Sequence, residues 1–355
     1  MDIEREFILE WYARQLLVKG ITEAFQLRLT EETFGSLSCE FEELIAELLI
    51  RSGLAGITRE FPRHKILRFY SPLIYRQDET IQFRNGPNLE FYEQSGKKVI
   101  SFPHELSKFF APVIASRVFL WLLEERIENS LEIKFPVFDL ERVRRQGRVM
   151  VVGAGGLGGP LIKTLLDLGL RDLAVVEPGS VKLNNLHRQI LYDYGDVGYL
   201  KAEVLQKKLS RAYTSARIRV YNSFFSESLL RTEKPDLVIS CVDNFSGRYS
   251  INDACYRSGI PYIDGAVEEF SGYVMYRDRT LPCYRCFMGD ERRDNSAPKG
   301  ILPFTSYLGG MVQAAIAVDF LNRNKPYESI FWFDLRNSVF EELEISRRSE
   351  CEVCQ

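Results

Sequence analysis

A short unbroken apolar run at Arg148–Val152 reads as a buried strand, and Leu157, Leu161, Leu165 and Leu168 follow it at helical spacing. The pattern then repeats. Leu173–Val176, Ile218–Tyr221, Asp236–Cys241 and Pro261–Ile263 read as strands, with helices over Lys201–Ala212 and Arg248–Ser258. Strands alternating with helices of this length predict a Rossmann-like, doubly wound α/β domain, its parallel sheet covered on both faces. Phe304–Asn322 is a long apolar helix, and Ser329–Phe333 and Val339–Ile345 look like late strands.

The N-terminal part has a different grammar. Glu4–Leu17 and Phe41–Ser52 are helical in pattern. Three short strands, Thr80–Phe83, Leu89–Tyr92 and Lys98–Phe102, are separated by Asn85-Gly86-Pro87 and Ser95-Gly96, which is turn chemistry. Helical stretches follow around Glu105–Ile114 and Arg117–Glu125, so the order suggests a winged-helix-like α+β domain. The boundary is expected near Pro136–Gly147. That gives an N-terminal region over 1–135, clearest at 80–125, and a nucleotide-binding domain over 136–355.

At 355 residues there is room for two domains, and 45% apolar with 27% charged residues is ordinary for a soluble protein with a sizeable core. A net charge of −3 gives no electrostatic reason to expect nucleic acid. No run of apolar residues has the length of a membrane span, and the acidic start at Asp2, Glu4 and Glu6 is unlike a signal peptide, so a cytoplasmic location is expected.

Gly153-x-Gly155-Gly156-x-Gly158 lies between the first strand of this domain and its helix. A turn of this kind lets backbone N–H groups approach a phosphate at a helix N-terminus. Glu177, about 20 residues on at the end of the next strand, stands where a carboxylate can hold ribose hydroxyls. A nicotinamide dehydrogenase would share these features. Arg188 and Lys201 add two cations, a load suited to a triphosphate, and Asp243 at the C-terminal end of a strand suits a magnesium ion bridging phosphates. Each has an ordinary alternative: Arg188 as a surface charge, Lys201 as a helix-face lysine, Asp243 as the N-cap of the next helix.

Two pairs, Cys283-x-x-Cys286 and Cys351-x-x-Cys354, supply the four soft ligands that tetrahedral zinc prefers. A closed four-sulfur site is structural, because it has no open position for chemistry. Disulfides are the alternative, and a reducing compartment argues against them. Cys39, Cys241 and Cys255 read as core residues.

The ordered set of a G-x-G-G-x-G loop, an acidic strand end, Asn185-Leu186-His187-Arg188-Gln189, Gly198-x-x-Lys201, Asp243-Asn244 and both cysteine pairs resembles the ThiF/MoeB/HesA family. That family shares its adenylating core with ubiquitin-activating enzymes. The resemblance spans about Arg148–Gln355. It implies that Gly153, Gly155, Gly156 and Gly158 shape the nucleotide loop, that Glu177 holds the ribose, and that Asn185, Arg188, Gln189 and Lys201 contact phosphates. Asp243 would organise magnesium. The implied reaction is attack of a carboxylate on the α-phosphate of ATP, giving an acyl-adenylate and pyrophosphate, with Arg188, Lys201 and Asp243 as its catalytic groups.

Three departures stand out. Gly179 replaces a second acidic residue. An R-Y-x-R-Q-like segment is missing just before the glycine loop, where Arg126-Ile127-Glu128-Asn129-Ser130 stands; Tyr12-Ala13-Arg14-Gln15 looks similar but is far upstream, and is expected on an exposed amphipathic helix face. The stretch Gly289–Gly300 has no cysteine for acyl transfer, and carries Arg292, Arg293 and Lys299, read as a solvated loop or as a clamp on a substrate carboxylate.

The N-terminal pattern resembles the small peptide-clamp domain of enzymes that modify ribosomal peptides, which take a leader segment as an added strand. Fused to the adenylating core, it resembles the peptide natural-product branch of the family, which includes the enzymes of microcin C and pantocin A formation. The resemblance implies an ATP- and magnesium-dependent enzyme, with a structural zinc, acting on a precursor peptide in antibiotic biosynthesis. Direct attack on the adenylated carboxyl or carboxamide would then give cyclisation, dehydration or nucleotide transfer. Activation of a ubiquitin-like or sulfur-carrier protein, and a non-catalytic peptide scaffold, are the alternatives. Apolar residues on several faces of Phe304–Asn322 suggest a homodimer, with Arg14 or Arg126 reaching the partner's site; a purely internal core helix is the other reading.

Overall fold

The structure is a computed structural model. It describes residues 6, 9–29, 33–34, 42–52, 56–57, 81–85, 90–94, 97–102, 110–122, 140–290, 294 and 299–354. Its centre is an eight-stranded sheet of order β13-β12-β11-β10-β9-β6-β7-β8. These strands are β6 (Arg148–Val152), β7 (Asp172–Val176), β8 (Arg217–Tyr221), β9 (Leu237–Ser240), β10 (Tyr262–Glu268), β11 (Ser271–Arg277), β12 (Ile330–Asp334) and β13 (Val339–Leu343). β8, β7, β6, β9 and β10 are parallel, while β11, β12 and β13 continue the sheet antiparallel. The parallel sheet read from the sequence is therefore part of a mixed one.

The apolar runs form strands because both faces are covered: positions 149–152 and 237–240 are buried throughout. Strand order reverses at β6, whose neighbours are β7 and β9, so the crevice for a ligand opens above its C-terminal end. The glycine loop emerges there and enters α4 (Gly158–Asp167). α5 (Lys201–Ala212), α6 (Glu227–Glu233), α7 (Phe245–Ser258), the short α8 (Tyr284–Met288) and α9 (Pro303–Arg323) complete the domain.

The described N-terminal elements are α1 (Glu23–Leu29), β1 (Thr33–Phe34), α2 (Glu42–Arg51), β2 (Gly56–Ile57), β3 (Ile81–Asn85), β4 (Glu90–Gln94), β5 (Lys97–Phe102) and α3 (Phe110–Leu122). β3, β4 and β5 match the three expected strands, within a sheet of order β2-β1-β3-β5-β4. β1 pairs parallel with β2 and β3, β3 pairs parallel with β5, and β4 is antiparallel to β5. One helix, α3, spans the expected break near Ser116, whose buried hydroxyl is satisfied by the Val113 carbonyl at 2.7 Å. Cys39, Arg126, Arg292, Arg293, both N-terminal turns and part of the expected boundary lie outside the described residues.

Two expectations need correction. α9 is long and apolar enough by composition to cross a bilayer, yet it is almost wholly buried in the chain's own core. α4 and the sheet cover it, and so do α2 and α3: Ile45, Leu48, Leu49, Val113 and Phe119 join the cluster of Leu308, Met311 and Val312. Phe119 meets Phe304 with ring centroids 5.6 Å apart. The apolar faces of α9 are thus accounted for by internal packing, and the homodimer inferred from them loses that support. The second correction concerns Tyr12-Ala13-Arg14-Gln15. A helical turn at 9–11 gives way to successive turns, and Tyr12 and Gln15 are buried. Gln15 donates to Gln26 Oε1 (2.7 Å) and to the Ser52 carbonyl (2.6 Å), while the Arg14 carbonyl accepts from Ile301 N (3.1 Å). This segment packs onto the nucleotide-binding domain instead of presenting an exposed helix face.

Candidate active site

At the glycine loop, protein packing explains three of the four glycines. Gly153 has φ +94°, and a Cβ there would lie 2.8 Å from the Cys241 carbonyl oxygen. At Gly158 a Cβ would stand 2.0 Å from the Gly153 carbonyl oxygen, and at Gly156 it would crowd Ser306 Oγ at 3.0 Å. Gly155 is different. Its nearest neighbour is Gln189 Nε2 at 3.5 Å, ordinary contact, so the fold itself does not require glycine there. A bare Cα with open space fits close approach by a ligand. Beside it, Gln189 Oε1 and Ser306 Oγ are buried without a hydrogen-bond partner among the described residues; the hydroxyl can donate to a phosphate oxygen, and the amide oxygen can accept from a ligand hydroxyl.

Glu177 directly follows β7 and is buried, at 6% exposure. Ala154 N donates to Oε2 (2.8 Å), Gly179 N donates to Oε1 (2.9 Å), and Lys201 Nζ lies 3.7 Å from Oε1. A Cβ at 179 would sit 2.8 Å from that oxygen, so Gly179 allows the carboxylate to fold back onto its own backbone. Glu177 therefore holds the glycine loop in place; a ribose hydroxyl would use its remaining lone pairs. Lys201 opens α5, with its N–H on the Gly179 carbonyl (2.9 Å) and its ammonium over the Tyr192 ring.

Arg188 and Gln189 project from the turn that follows the 3-10 segment Leu183–Asn185. Arg188 Nη1 donates to the Asn184 carbonyl (2.9 Å). The Asn185 side chain is spent locally, accepting from Lys182 N and donating to Asn184 Oδ1. Burial, helped by the neighbouring Arg14 charge and opposed by Asp243, lowers Arg188 to about 10, still protonated at neutral pH. Burial also lowers Lys201, against the pull of Glu177. His187, fully buried beside Arg188, is held well below the usual imidazole range by burial and by that guanidinium, so it is neutral.

Arg188 thus lies within electrostatic reach of Arg14 and Asp243, and Lys201 of Glu177, Arg188 and Asp243, which leaves an excess of positive charge. Arg14 Nε is buried without a hydrogen-bond partner among the described residues. Such a cluster suits a polyanion. The sequence suggested Arg14 for a partner's site; in the structure it stands within electrostatic reach of Arg188 of its own chain.

The N-cap alternative for Asp243 fails. Asn244 caps α7, its Oδ1 accepting from Gly247 N at 2.7 Å, and Asp294 also accepts from Phe245 N and Ser246 N. Asp243 is left exposed toward the cations and would be the carboxylate to hold a magnesium ion. Arg248, four residues beyond Asn244, steadies it from behind by donating to the Val242 carbonyl while pairing with buried Asp264. The sequence reading passed over Arg248 and Gln313; the latter's Nε2 donates to the Ser240 carbonyl (2.9 Å). A lone amide in the middle of apolar α9 was the available signal.

In a separate cluster, Cys283, Cys286, Cys351 and Cys354 converge, with all four Sγ atoms within 4.8 Å of one another. Cys286 Sγ also accepts from Arg348 N (3.4 Å). Burial opposes ionisation of Cys283, Cys351 and Cys354 and pushes Cys283 and Cys354 up, while at Cys351 the N–H groups of Val353 and Cys354 and the neighbouring thiols outweigh it and lower the value. Four clustered sulfurs with backbone donors fit a tetrahedral zinc ion, which would tie the C-terminal tail to α8. Cys241 and Cys255 are buried, their thiols pushed up by burial, as expected of core cysteines. Lys299 is exposed and pairs with Glu268 (2.7 Å), in keeping with a solvated charge.

Comparison with known proteins agrees with this geometry. The sulfur carrier protein adenylyltransferase of Thermus thermophilus is 36% identical over 230 residues, which cover 60% of this chain and 84% of that protein. The molybdopterin-synthase adenylyltransferase of Escherichia coli is 30% identical over 226 residues, 61% of this chain and 90% of that one. Among solved structures, E. coli MccB with ATP superposes with a TM-score of 0.52 at 19% identity, covering 59% of this chain and 67% of the other. At that identity the likeness shows a shared fold. The ThiF family model matches residues 130–353, and with the adenylyltransferase relatives it settles the matter: the chain belongs to the ThiF family.

Proposed function

We propose that this protein adenylates a ribosomally made precursor peptide, using ATP and magnesium to activate a carboxyl or carboxamide group. The substrate oxygen would attack the α-phosphorus, the bond from that phosphorus to the bridging oxygen would break, and pyrophosphate would leave. Gly153–Gly158 and the α4 N-terminus would seat the phosphates. Arg188, Gln189 and Lys201 would neutralise their charge, and Asp243 would hold magnesium, which supplies further neutralisation of the triphosphate. Zinc would serve as a structural clasp.

The observation that carries the peptide reading is the five-stranded sheet ahead of the residues matched by the family model, joined to the core through α2 and α3. β4 and β2 end it among the described strands, and such an edge can take a leader segment as an added strand. We read it as the winged-helix-like peptide clamp within residues 1–135. Support comes from the fold shared with MccB, whose solved structures include complexes with MccA. A second reading is favoured by the curated relatives: activation of a sulfur-carrier or ubiquitin-like protein, which would leave the N-terminal sheet without a task. Mass spectrometry after incubation with ATP, magnesium and a short peptide encoded by a neighbouring gene tests the proposal. An adenylated, cyclised or dehydrated peptide is expected; turnover only with a carrier protein ending in Gly-Gly would favour the second reading.

A further inference from the structure

Arg51 closes α2, in the part of the chain that precedes the family domain, yet its guanidinium is buried at 2% exposure beneath the phosphate-facing turn. Nη1 donates to the Leu186 carbonyl, two residues before Arg188, and Nε is fixed by Glu47 at 3.0 Å. The turn's backbone bonds run from Leu186 N to Leu183 O, and from Arg188 N and Gln189 N to Asn185 O, which leaves the Leu186 carbonyl to the guanidinium. The next residue ties in a second segment. Ser52 O accepts from Gln15 Nε2 (2.6 Å) and Gln26 Nε2 (3.2 Å), and Gln15 directly follows Arg14. The last turn of α2 therefore touches both stretches of chain that aim cations at the nucleotide site. Burying a guanidinium costs free energy unless its donors are used, and a bond from a charged donor to a buried carbonyl is among the stronger ones.

We infer that Arg51 is a positioning residue for ATP use: it holds the Asn184–Gln189 turn in the register that points Arg188 and Gln189 at the glycine loop. The inference rests on the reading of Arg188 as a phosphate contact. It also makes α2 the mechanical link between the N-terminal sheet and the nucleotide site.

Arg51→Met removes the donors and keeps the stem. Losing one charge-assisted buried hydrogen bond should raise the Kd for magnesium-ATP about tenfold. Arg51→Lys, which retains one charged donor, should recover most of that loss. The decisive readout is a double-mutant cycle with Arg188→Ala, measured by calorimetry. If Arg51 acts through the turn that carries Arg188, Arg51→Met adds less than about twofold once Arg188 is gone. A wild-type Kd for Arg51→Met, or penalties that multiply in full, overturns the inference. Should Arg188→Ala alone leave ATP binding unchanged while Arg51→Met weakens it, the reading of Arg188 as a phosphate contact fails, and with it the route assigned to Arg51. If Arg51→Met does not fold, Glu47→Gln loosens the same guanidinium. A rise of about threefold, abolished in the Arg188→Ala background, is then expected, and no rise overturns the inference.

Discussion

Replacing Gly155 and Gly158 by alanine should separate what the fold needs from what the ligand needs. At Gly158 the added carbon would stand 2.0 Å from the Gly153 carbonyl oxygen, so the loop or the first turn of α4 must move by more than an ångström. Overpacking of this kind costs about 1–3 kcal/mol or more. For a domain of this size that corresponds to a fall in melting temperature of roughly 2–10 °C. Among the described residues, the carbon at Gly155 would meet only the Gln189 side-chain amide at 3.5 Å, and Gly155 lacks a positive φ. Gly155→Ala should therefore melt within about 1 °C of the wild type, since such surface-loop changes cost under about 0.5 kcal/mol. Its methyl group would nonetheless occupy the space assigned to phosphate, and a displaced charged hydrogen bond of about 1.5–3 kcal/mol predicts a Kd for ATP raised by roughly 10- to 100-fold. Scanning fluorimetry and calorimetry on the two variants decide the matter. A Gly155→Ala protein that binds ATP normally would refute the assignment of the loop's open face to the nucleotide.

Other expectations follow from single contacts. Asp243→Asn should lower magnesium-dependent turnover at least about a hundredfold while peptide affinity, read by fluorescence polarisation, stays near normal. Cys351→Ser should release zinc to a colorimetric chelator and lower the melting temperature, because binding free energy at a structural site is folding free energy; metal retained at the wild-type level would sink the four-sulfur assignment. ATP binding should also respond to alkaline pH. Burial lowers Lys201 below the ordinary lysine value and brings Arg188 to about 10, and phosphates bind their protonated forms. Affinity is then full at neutral pH and falls as pH rises through these values, so titrations between pH 7 and 10 should show weakening near the top of that range. A flat profile would contradict it.

Much of the nucleotide-binding domain was legible because its strands are buried on both faces and read as unbroken apolar runs, as at 149–152 and 237–240. β11 escaped because Ser271–Arg277 mixes tyrosine, glycine and arginine, and its place is fixed by pairing with β10 and β12. The cysteines, glycines and cations were legible as spacings. Their environments were not. No spacing says that Asn244 and not Asp243 caps α7, or that the Glu177 carboxylate is committed to Ala154 and Gly179. Arg51 was missed, and Arg14 was expected to reach a partner's site rather than its own, for one reason: both are placed by long-range packing, and local periodicity carries no record of such contacts. The same packing, of α2 and α3 on α9, explains the apolar faces that suggested a dimer.

In the proposed function, adenylation by this protein answers to a peptide. Isotope exchange between pyrophosphate and ATP reports formation of the adenylate directly, with no need to know the final bond. Magnesium-dependent exchange should be negligible with protein alone, rise at least about tenfold with the cognate precursor peptide, and disappear in Arg188→Ala. Exchange of the same size driven by a Gly-Gly-terminated carrier protein, with none from the peptide, would contradict it.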